Sequence, residues 1–285
     1  MENRKAIIDR MINETTIRPE GSAITAHSGC DNTPDDSLES VAQGIESGAD
    51  IVEVDVRMNR DGVLVLSHDS EPGRYYSDLP ALEAAFEIIQ AVEGIGINCD
   101  VKEALAIPAV LDLTNRLRFP RERLYLSGSV TPEVLRNISD LPRRCHVLWN
   151  LEEMLRPLAE EKLRADGREE LLPVLSSDPW RALREIMPDP DPYAGDVVRL
   201  AKTFAIETLN IPWQIATEER ISFFRQHGLE MSVWTVNEPE QIMKYLRAGV
   251  PNITTRNAKV AVQLKTQFLT QQSAKILPRG TGAVL

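Results

Sequence analysis

The stretch that decides the fold is residues 51–69, IVEVDVRMNRDGVLVLSHD. Its first half alternates apolar residues with the acids Glu53 and Asp55, and this pattern of β-branched residues favours a strand. Alternate residues of a strand project from one face, so both carboxylates point the same way. Two like charges on a buried face repel each other and lose hydration, and a hard divalent cation would compensate them.

The second half of this stretch predicts a hairpin. Residues 59–62, NRDG, have the composition of a tight turn, and residues 63–66, VLVL, predict a second short strand. That strand returns His68 to the neighbourhood of the two acids. An imidazole beside carboxylates is a candidate general acid or base.

Short apolar strands alternate with helices on both sides of this stretch. Eight strands are predicted to start at Ala23, Ile51, Gly96, Leu124, His146, Thr208, Met231 and Asn252. Such alternation indicates an α/β protein with a parallel sheet, and eight units indicate a closed (β/α)8 barrel, the TIM barrel. The hairpin strand before His68 is then a short insertion after strand 2.

We expect residues 1–285 to form a single barrel domain. A helix within residues 1–22 would close the bottom of the barrel, and residues 273–285 are predicted to be a polar tail. Residues 151–206 exceed a normal barrel connection. We therefore expect an additional excursion there, with one charged helix from Leu151 to Ala165.

Composition narrows the class of function. A net charge of −11 and a pI near 5.0 argue against a nucleic-acid surface. No stretch approaches the roughly 18 consecutive apolar residues of a membrane span, so no stable membrane insertion is expected. Three scattered cysteines imply no disulfide framework, and a charged N-terminus without a signal-peptide pattern predicts a cytoplasmic protein. The sequence makes no prediction of the oligomeric state.

Polar residues that would be costly in a core fall at the predicted strand ends. In a TIM barrel the active site forms at the C-terminal ends of the strands. The residues at these ends are His27 after strand 1, Glu53 and Asp55 on strand 2, Asp100 and Lys102 on strand 3, and Trp234 and Asn237 after strand 7.

These residues suit the cleavage of a phosphate ester. Glu53, Asp55 and Asp100 could hold one Mg²⁺ or Ca²⁺ through oxygen ligands, although Asp100 could instead orient Lys102. Lys102 would contact an anionic group of the substrate. His27 and His68 could act as general base and general acid.

Other candidates at the rim are weaker. Trp234 and Asn237 are predicted to line a substrate pocket, although a tryptophan is also common in a core. The same prediction is weaker for Trp149, Asn150, Trp213 and Asn210.

The sequence around these candidates resembles a known family. AHSG at 26–29, PDDS at 34–37, residues 48–69, CDVK at 99–102 and the WTVN-containing segment 233–255 are similar to the glycerophosphodiester phosphodiesterases. The resemblance runs from Ala23 to about Ala258, with a gap in the middle of the chain. It implies that His27 and His68 form the catalytic pair, that Glu53 and Asp55 bind the metal and that Lys102 contacts phosphate. Members of this family cleave the phosphodiester of deacylated phospholipids into glycerol 3-phosphate and an alcohol.

Three positions depart from the family pattern. Ser28 stands where the family has an arginine, and we predict it as a substrate-binding residue in place of that phosphate clamp. Asp35 and Asp36 replace a Glu-Asn pair, and Asp100 replaces a glutamate. The Glu-x-Asp, His and Asp-x-Lys pattern also resembles the sphingomyelinase D phospholipases, which lack the same arginine.

Three hypotheses are therefore open. The first is a metal-dependent phosphodiesterase that acts on a small-molecule glycerophosphodiester, either with water directly or through a cyclic phosphate. The second is a sphingomyelinase D or lysophospholipase D-like phosphodiesterase or lyase. The third is a catalytically impaired barrel that binds a phosphorylated ligand.

Overall fold

In residues 21–70, 79–177 and 193–276, which the computed structural model describes, nine strands form one sheet. They are β1 (Ala23–Ala26), β2 (Ile51–Met58), β3 (Leu64–Leu66), β4 (Gly96–Val101), β5 (Leu124–Gly128), β6 (His146–Asn150), β7 (Thr208–Pro212), β8 (Glu230–Trp234) and β9 (Asn252–Thr255). All pairings except that of β3 are parallel, and β1 pairs with both β2 and β9 to close an eight-stranded barrel. The predicted TIM barrel and its hairpin insertion are confirmed, with each strand start within one residue of the prediction.

Helices connect these strands around the barrel. In chain order the described helices are α1 (Leu38–Glu46), α2 (Leu82–Gln90), α3 (Ile107–Leu117), α4 (Pro132–Asn137), α5 (Leu141–Arg144), α6 (Leu151–Ala165), α7 (Leu172–Ser177), α8 (Ala194–Thr203), α9 (Glu218–Gln226), α10 (Pro239–Ala248) and α11 (Ala258–Ile276). Their buried apolar residues pack with those of the strands in one large core. The predicted charged helix from Leu151 to Ala165 is confirmed as α6.

The first helix begins later than its sequence suggests. Pro34 and the two acids after it would suit the first turn of a helix. In the structure Ser37 is instead the N-cap, with a side-chain oxygen that accepts a hydrogen bond from the Ser40 N–H at 3.0 Å. Asp36 has a φ of 53°, which is outside the right-handed helical region and excludes an earlier start. The turn directs the Asp36 side chain toward β2 and His68.

β2 shares one edge between two partners. β1 pairs with Ile51 and Val52, whereas β3 pairs antiparallel with residues 56–58. Between these pairings β1 turns away, and the His27 N–H donates instead to the Thr255 carbonyl oxygen of β9 at 2.9 Å. The edge of β2 is therefore open to side chains beside Glu53, between β1 and the hairpin.

Several predicted segments lie partly outside the described residues. Residues 1–20 of the predicted N-terminal helix and the proline-rich residues 178–192 of the excursion are outside them. α11 continues to Ile276, which makes the first four residues of the predicted tail helical, and the remainder is outside. No helix in the described ranges has both the length and the apolarity needed to cross a bilayer.

Candidate active site

The mouth of the barrel contains a cavity of about 740 Å³. Side chains of β2 and of β4 to β9 line it, together with His27 directly after β1 and three residues near the start of α6. The cavity is large enough for a small organic ligand. Seven of the predicted site residues line it: His27, Glu53, Asp55, His68, Asp100, Lys102 and Trp234.

Three buried acids meet on one wall of this cavity. Carboxylate oxygens of Glu53, Asp55 and Asp100 all lie within 4.8 Å of one another, and Asp55 and Asp100 are direct neighbours in the pairing of β2 with β4. Glu53 and Asp55 are only 5% and 3% exposed. The Lys102 Nζ lies 2.6 Å from Asp55 and also contacts Asp100.

The charges of this wall fit a divalent cation. Three carboxylates facing one ammonium leave two negative charges uncompensated when all three are ionised. Oxygen donors at this spacing and with this charge are the ligands that hard divalent metals take. These acids are therefore a candidate metal site.

The electrostatics of the wall reflect the excess of acid. Burial raises the pKa of Glu53 well above its ordinary value, and the charges of Asp55 and Asp100 raise it further. Burial alone would lower the pKa of Lys102, but the charges of Asp100 and Asp55 outweigh it and raise that pKa. Lys102 consequently stays charged, and a cation bound beside Glu53 would favour the ionised carboxylate.

His27 is held as a neutral base beside this wall. Its Nδ1 lies 2.9 Å from the Ser28 carbonyl oxygen and 3.6 Å from a Glu53 carboxylate oxygen. A carbonyl oxygen only accepts hydrogen bonds, so Nδ1 carries the hydrogen and Nε2 has the free lone pair in the neutral ring. Burial lowers the pKa of His27, which keeps the ring neutral at pH 7.

His68 is exposed, but its backbone is fixed on both sides. The His68 N–H donates to an Asp36 carboxylate oxygen at 2.9 Å. Its carbonyl oxygen accepts from Nε and Nη2 of Arg57 at 3.0 and 2.9 Å, while Nη1 of Arg57 pairs with Glu103 at 2.6 Å. The side chain of His68, 61% exposed, contacts Asp69 at 2.8 Å.

Sequence reasoning missed the two residues that hold His68. Arg57 continues the alternation of Glu53 and Asp55 along β2, and this spacing was the available signal that it faces the same cavity. Asp36 left no comparable signal, because a left-handed turn brings it there.

Two predicted substrate-binding residues do not line the cavity. The Ser28 N–H donates to Glu53 at 2.8 Å, and its hydroxyl oxygen accepts from the Asp36 N–H at 2.9 Å. The Asn237 side-chain oxygen accepts from the Arg256 N–H at 2.9 Å. Both residues fix the loops that follow β1 and β9, and this placement does not support their predicted contact with substrate.

Comparison with known proteins agrees with the geometry of this wall. Residues 27–85, which contain both histidines and two of the three acids, match the model of the Glycerophosphoryl diester phosphodiesterase family. Over this segment the chain is similar to the glycerophosphodiester phosphodiesterases.

Relatives of the whole chain carry the family name. "Probable glycerophosphodiester phosphodiesterase 2" of Mycobacterium tuberculosis is 25% identical over 273 residues, which cover 85% of this chain and 90% of that protein. The glycerophosphodiester phosphodiesterase of Caldanaerobacter subterraneus is 23% identical over 85% of this chain and 96% of its own length. The fold is shared with an Oleispira antarctica phosphodiesterase solved with its product sn-glycerol-3-phosphate, at 16% identity and a TM-score of 0.60 over 86% of this chain and 96% of that one.

A row of polar side chains crosses β6 to β9, and two of its four residues line the cavity. Asn150, Asn210, Ser232 and Asn252 are successive partners in the pairing of β6, β7, β8 and β9. Adjacent side chains in this row are joined by hydrogen bonds of 2.8 Å. We call these four residues the amide row.

Asn150 and Asn210 line the cavity as predicted, whereas Trp149 is buried and donates its indole N–H to the Val130 carbonyl oxygen.

The amide row ends on an acid that the sequence did not single out. Glu152, in the first turn of α6, is 8% exposed and accepts a hydrogen bond from the Asn150 amide at 3.0 Å. Burial raises its pKa to about 8. Its neighbours Glu153 and Arg156 also line the cavity and pair with each other at 3.0 Å. The signal for Glu152 was its position two residues after the end of a barrel strand.

Proposed function

We propose that the protein is a metal-dependent phosphodiesterase that hydrolyses small glycerophosphodiesters to glycerol 3-phosphate and an alcohol. The observation that carries this proposal is the meeting of two imidazoles, three carboxylates and Lys102 in one cavity. The activity named for the relatives is of the same class. Cytoplasmic location stays a prediction from the sequence.

The acid wall would bind the metal and the phosphate together. Glu53, Asp55 and Asp100 would hold Mg²⁺ or Ca²⁺, which supplies Lewis-acid polarisation of a phosphoryl oxygen when bound. Lys102 would place its charge beside the same phosphate. Because two carboxylates fix Lys102, it needs little reorganisation when the substrate arrives.

The two histidines would move the protons. Nε2 of His27 accepts the proton of the attacking hydroxyl as its oxygen bonds to phosphorus, and His68 gives a proton to the alcohol oxygen as the ester P–O bond breaks. The attacking hydroxyl belongs either to water or to the substrate, in which case a cyclic phosphate forms first. The assignment rests on the partly buried, neutral state of His27 and on the exposure of His68.

The cavity favours a deacylated substrate over a lipid. Among the described residues that line it, Val101 and Trp234 are the large apolar side chains, and the others are polar, charged or small. Acyl chains would need a wider apolar surface. The sphingomyelinase D-like alternative therefore has less support than glycerophosphodiester hydrolysis.

The direct test is a screen of purified protein against glycerophosphodiesters and lysophospholipids with Mg²⁺, Ca²⁺ or EDTA. We expect metal-dependent release of glycerol 3-phosphate, abolished by EDTA and lowered about 10²- to 10⁴-fold by His27→Ala. Glu53→Gln should weaken metal binding measured by calorimetry, whereas Asp112→Asn, an exposed acid on α3, should not. Release of choline from lysophosphatidylcholine alone would favour the lipid enzyme. No turnover with any metal would favour the impaired barrel.

A further inference from the structure

We propose that Glu152 binds a protonated amine on the alcohol half of the substrate, so that amino-alcohol glycerophosphodiesters of the ethanolamine type are preferred. This proposal rests on the phosphodiesterase function proposed above and names the substrate class of that site. It assigns the two walls of the cavity different tasks. The acid wall of β2 and β4 takes the phosphate, and the wall of β6 and α6 takes the cationic alcohol.

One oxygen of Glu152 has no partner. Oε1 accepts from the Asn150 amide at 3.0 Å, whereas Oε2 is buried and accepts no hydrogen bond within the described structure. A buried carboxylate oxygen without a donor is costly, and such atoms in native proteins call for an unseen ligand or water. Glu152 lines the cavity, so a group bound in the cavity is placed to supply the donor.

The amide row donates one hydrogen bond to Glu152. Thr25 donates to Asn252, and each successive hydrogen bond along the row is donated in the same direction until Asn150 donates to Glu152. Each side-chain carbonyl of the row is already an acceptor in this chain of hydrogen bonds. The row therefore satisfies Oε1 alone, and Oε2 must take its donor from the cavity.

The charge of the cavity selects a cation. Arg156 pairs with Glu153, and its charge only partly offsets that of Glu152, which makes no salt bridge among the described residues. Around the whole cavity the lining acids outnumber lysine and arginine by six to three, namely Glu53, Asp55, Asp69, Asp100, Glu152 and Glu153 against Arg57, Lys102 and Arg156. With all six acids ionised, a divalent ion leaves one excess negative charge and a phosphodiester adds another. Glu152, whose pKa burial raises to about 8, would release its proton as a cation binds beside it. An ammonium group in the substrate offsets part of this excess, and a neutral polyol does not.

A primary ammonium fits better than a quaternary one. It carries N–H groups that hydrogen-bond to Oε2, whereas a trimethylammonium group carries none. Quaternary cations are recognised by cages of several aromatic rings. Trp234 is the single tryptophan, tyrosine or phenylalanine among the described residues that line the cavity.

The test compares two substrates that share the glycerophosphate half, glycerophosphoethanolamine and glycerophosphoglycerol. We expect wild-type kcat/KM to favour the amine, and Glu152→Gln to lower the ratio of the two kcat/KM values by roughly 10- to 100-fold, as for a lost hydrogen bond to a charged group. Glu152→Asp, which keeps the charge, should restore part of the ratio. Glu161→Gln, an exposed acid on the same helix, should leave the ratio unchanged.

Other outcomes are also decisive. Equal hydrolysis of both substrates, or an equal loss of both in Glu152→Gln, would overturn the assignment of Glu152 while leaving the phosphodiesterase function intact. If neither substrate is hydrolysed, the proposed function fails. Calorimetric binding of glycerophosphoethanolamine and glycerophosphoglycerol to wild-type protein and to Glu152→Gln then decides the proposal without turnover. A wild-type preference for the amine that Glu152→Gln removes would support it, and its absence would overturn it.

Discussion

At the scale of single residues, the site depends on side chains that hold other site residues in place. Arg57 holds the carbonyl of His68 by two hydrogen bonds, and Asp36 holds its N–H. The exposed imidazole has few other contacts to fix its position. We therefore regard Arg57 as a positioning residue for the proposed general acid.

We predict that Arg57→Lys lowers kcat about 10-fold with little change in KM, because lysine cannot form the paired hydrogen bonds to the His68 carbonyl. Steady-state kinetics with the metal-loaded enzyme measure this split. Arg60→Lys, an exposed change in the turn of the same hairpin, is the control and should behave as wild type. A loss of activity that follows a lower unfolding temperature would mean that Arg57 is structural instead.

The sequence predicts some of these residues and not others. Glu53 and Asp55 stand out because they alternate with valines in a buried strand. Burying two like charges costs free energy, which indicates a compensating cation. Glu152 does not stand out, because an acid in the first turn of a helix is ordinary. Only the packing of α6 over the barrel mouth buries it and aligns it with Asn150.

At the scale of elements, α1 sets the position of the first strands. Gly44 faces the barrel, and a Cβ there would lie 2.9 Å from the Ala26 Cβ and 3.0 Å from a Val52 methyl carbon. Such distances are shorter than van der Waals contact, so the helix approaches β1 and β2 as closely as it does because this residue has no side chain.

We predict that Gly44→Ala destabilises the protein by about 1–3 kcal/mol, since overpacking outweighs the gain in helix propensity. Gly195→Ala in α8 is the matched control, because a Cβ there meets no atom within 4 Å. It should stabilise the protein by about 0.5–1 kcal/mol. Urea unfolding monitored by circular dichroism measures both, and equal effects of the two substitutions would refute the close-packing argument.

The bounds of elements follow from the sequence where one signal dominates. The limits of α10 can be read from the sequence, because Pro239 is its first residue and Gly249 directly follows its last one. The start of α1 was misjudged because Pro34 is also a good turn residue, and the left-handed backbone of Asp36 leaves no trace in composition.

At the scale of the whole molecule, the barrel is polar inside in two different ways. Acids line the cavity on the side of β2 and β4, and the amide row crosses β6 to β9, where Asn150 and Asn210 line the cavity. Short apolar strands that alternate with helices can be recognised in the sequence, and this pattern made the fold predictable. The relative shift of all eight strands decides which polar residues face each other across the mouth of the barrel. No short stretch of sequence predicts that shift.

The burial of Glu152 predicts a pH dependence of global stability. Its folded-state pKa of about 8 lies above the ordinary value of 4.5 expected in the unfolded chain. The folded protein therefore holds the proton more tightly, and the stability that this gives is present at low pH and lost as the pH rises from about 4.5 through about 8. Relative to Glu152→Gln, the wild-type unfolding free energy in EDTA should fall by up to about 1.4 kcal/mol per pH unit in this window. Denaturant titrations from pH 5 to 9 measure it, and parallel curves for the two proteins would contradict it.

The shared edge of β2 has a consequence for how the chain could change. β1 and β3 stop short of each other, and the Ser28 N–H reaches the Glu53 carboxylate in the interval between them. The Ser67 N–H already donates to the Asp55 carbonyl oxygen at 3.0 Å, so a longer β3 would continue along β2 toward Val54 and close this interval. The added order would crowd out the loop that carries His27 and Ser28. The unpaired interval of β2 between β1 and β3 therefore leaves room for the residues of the site, and a more completely paired sheet would be expected to lower activity.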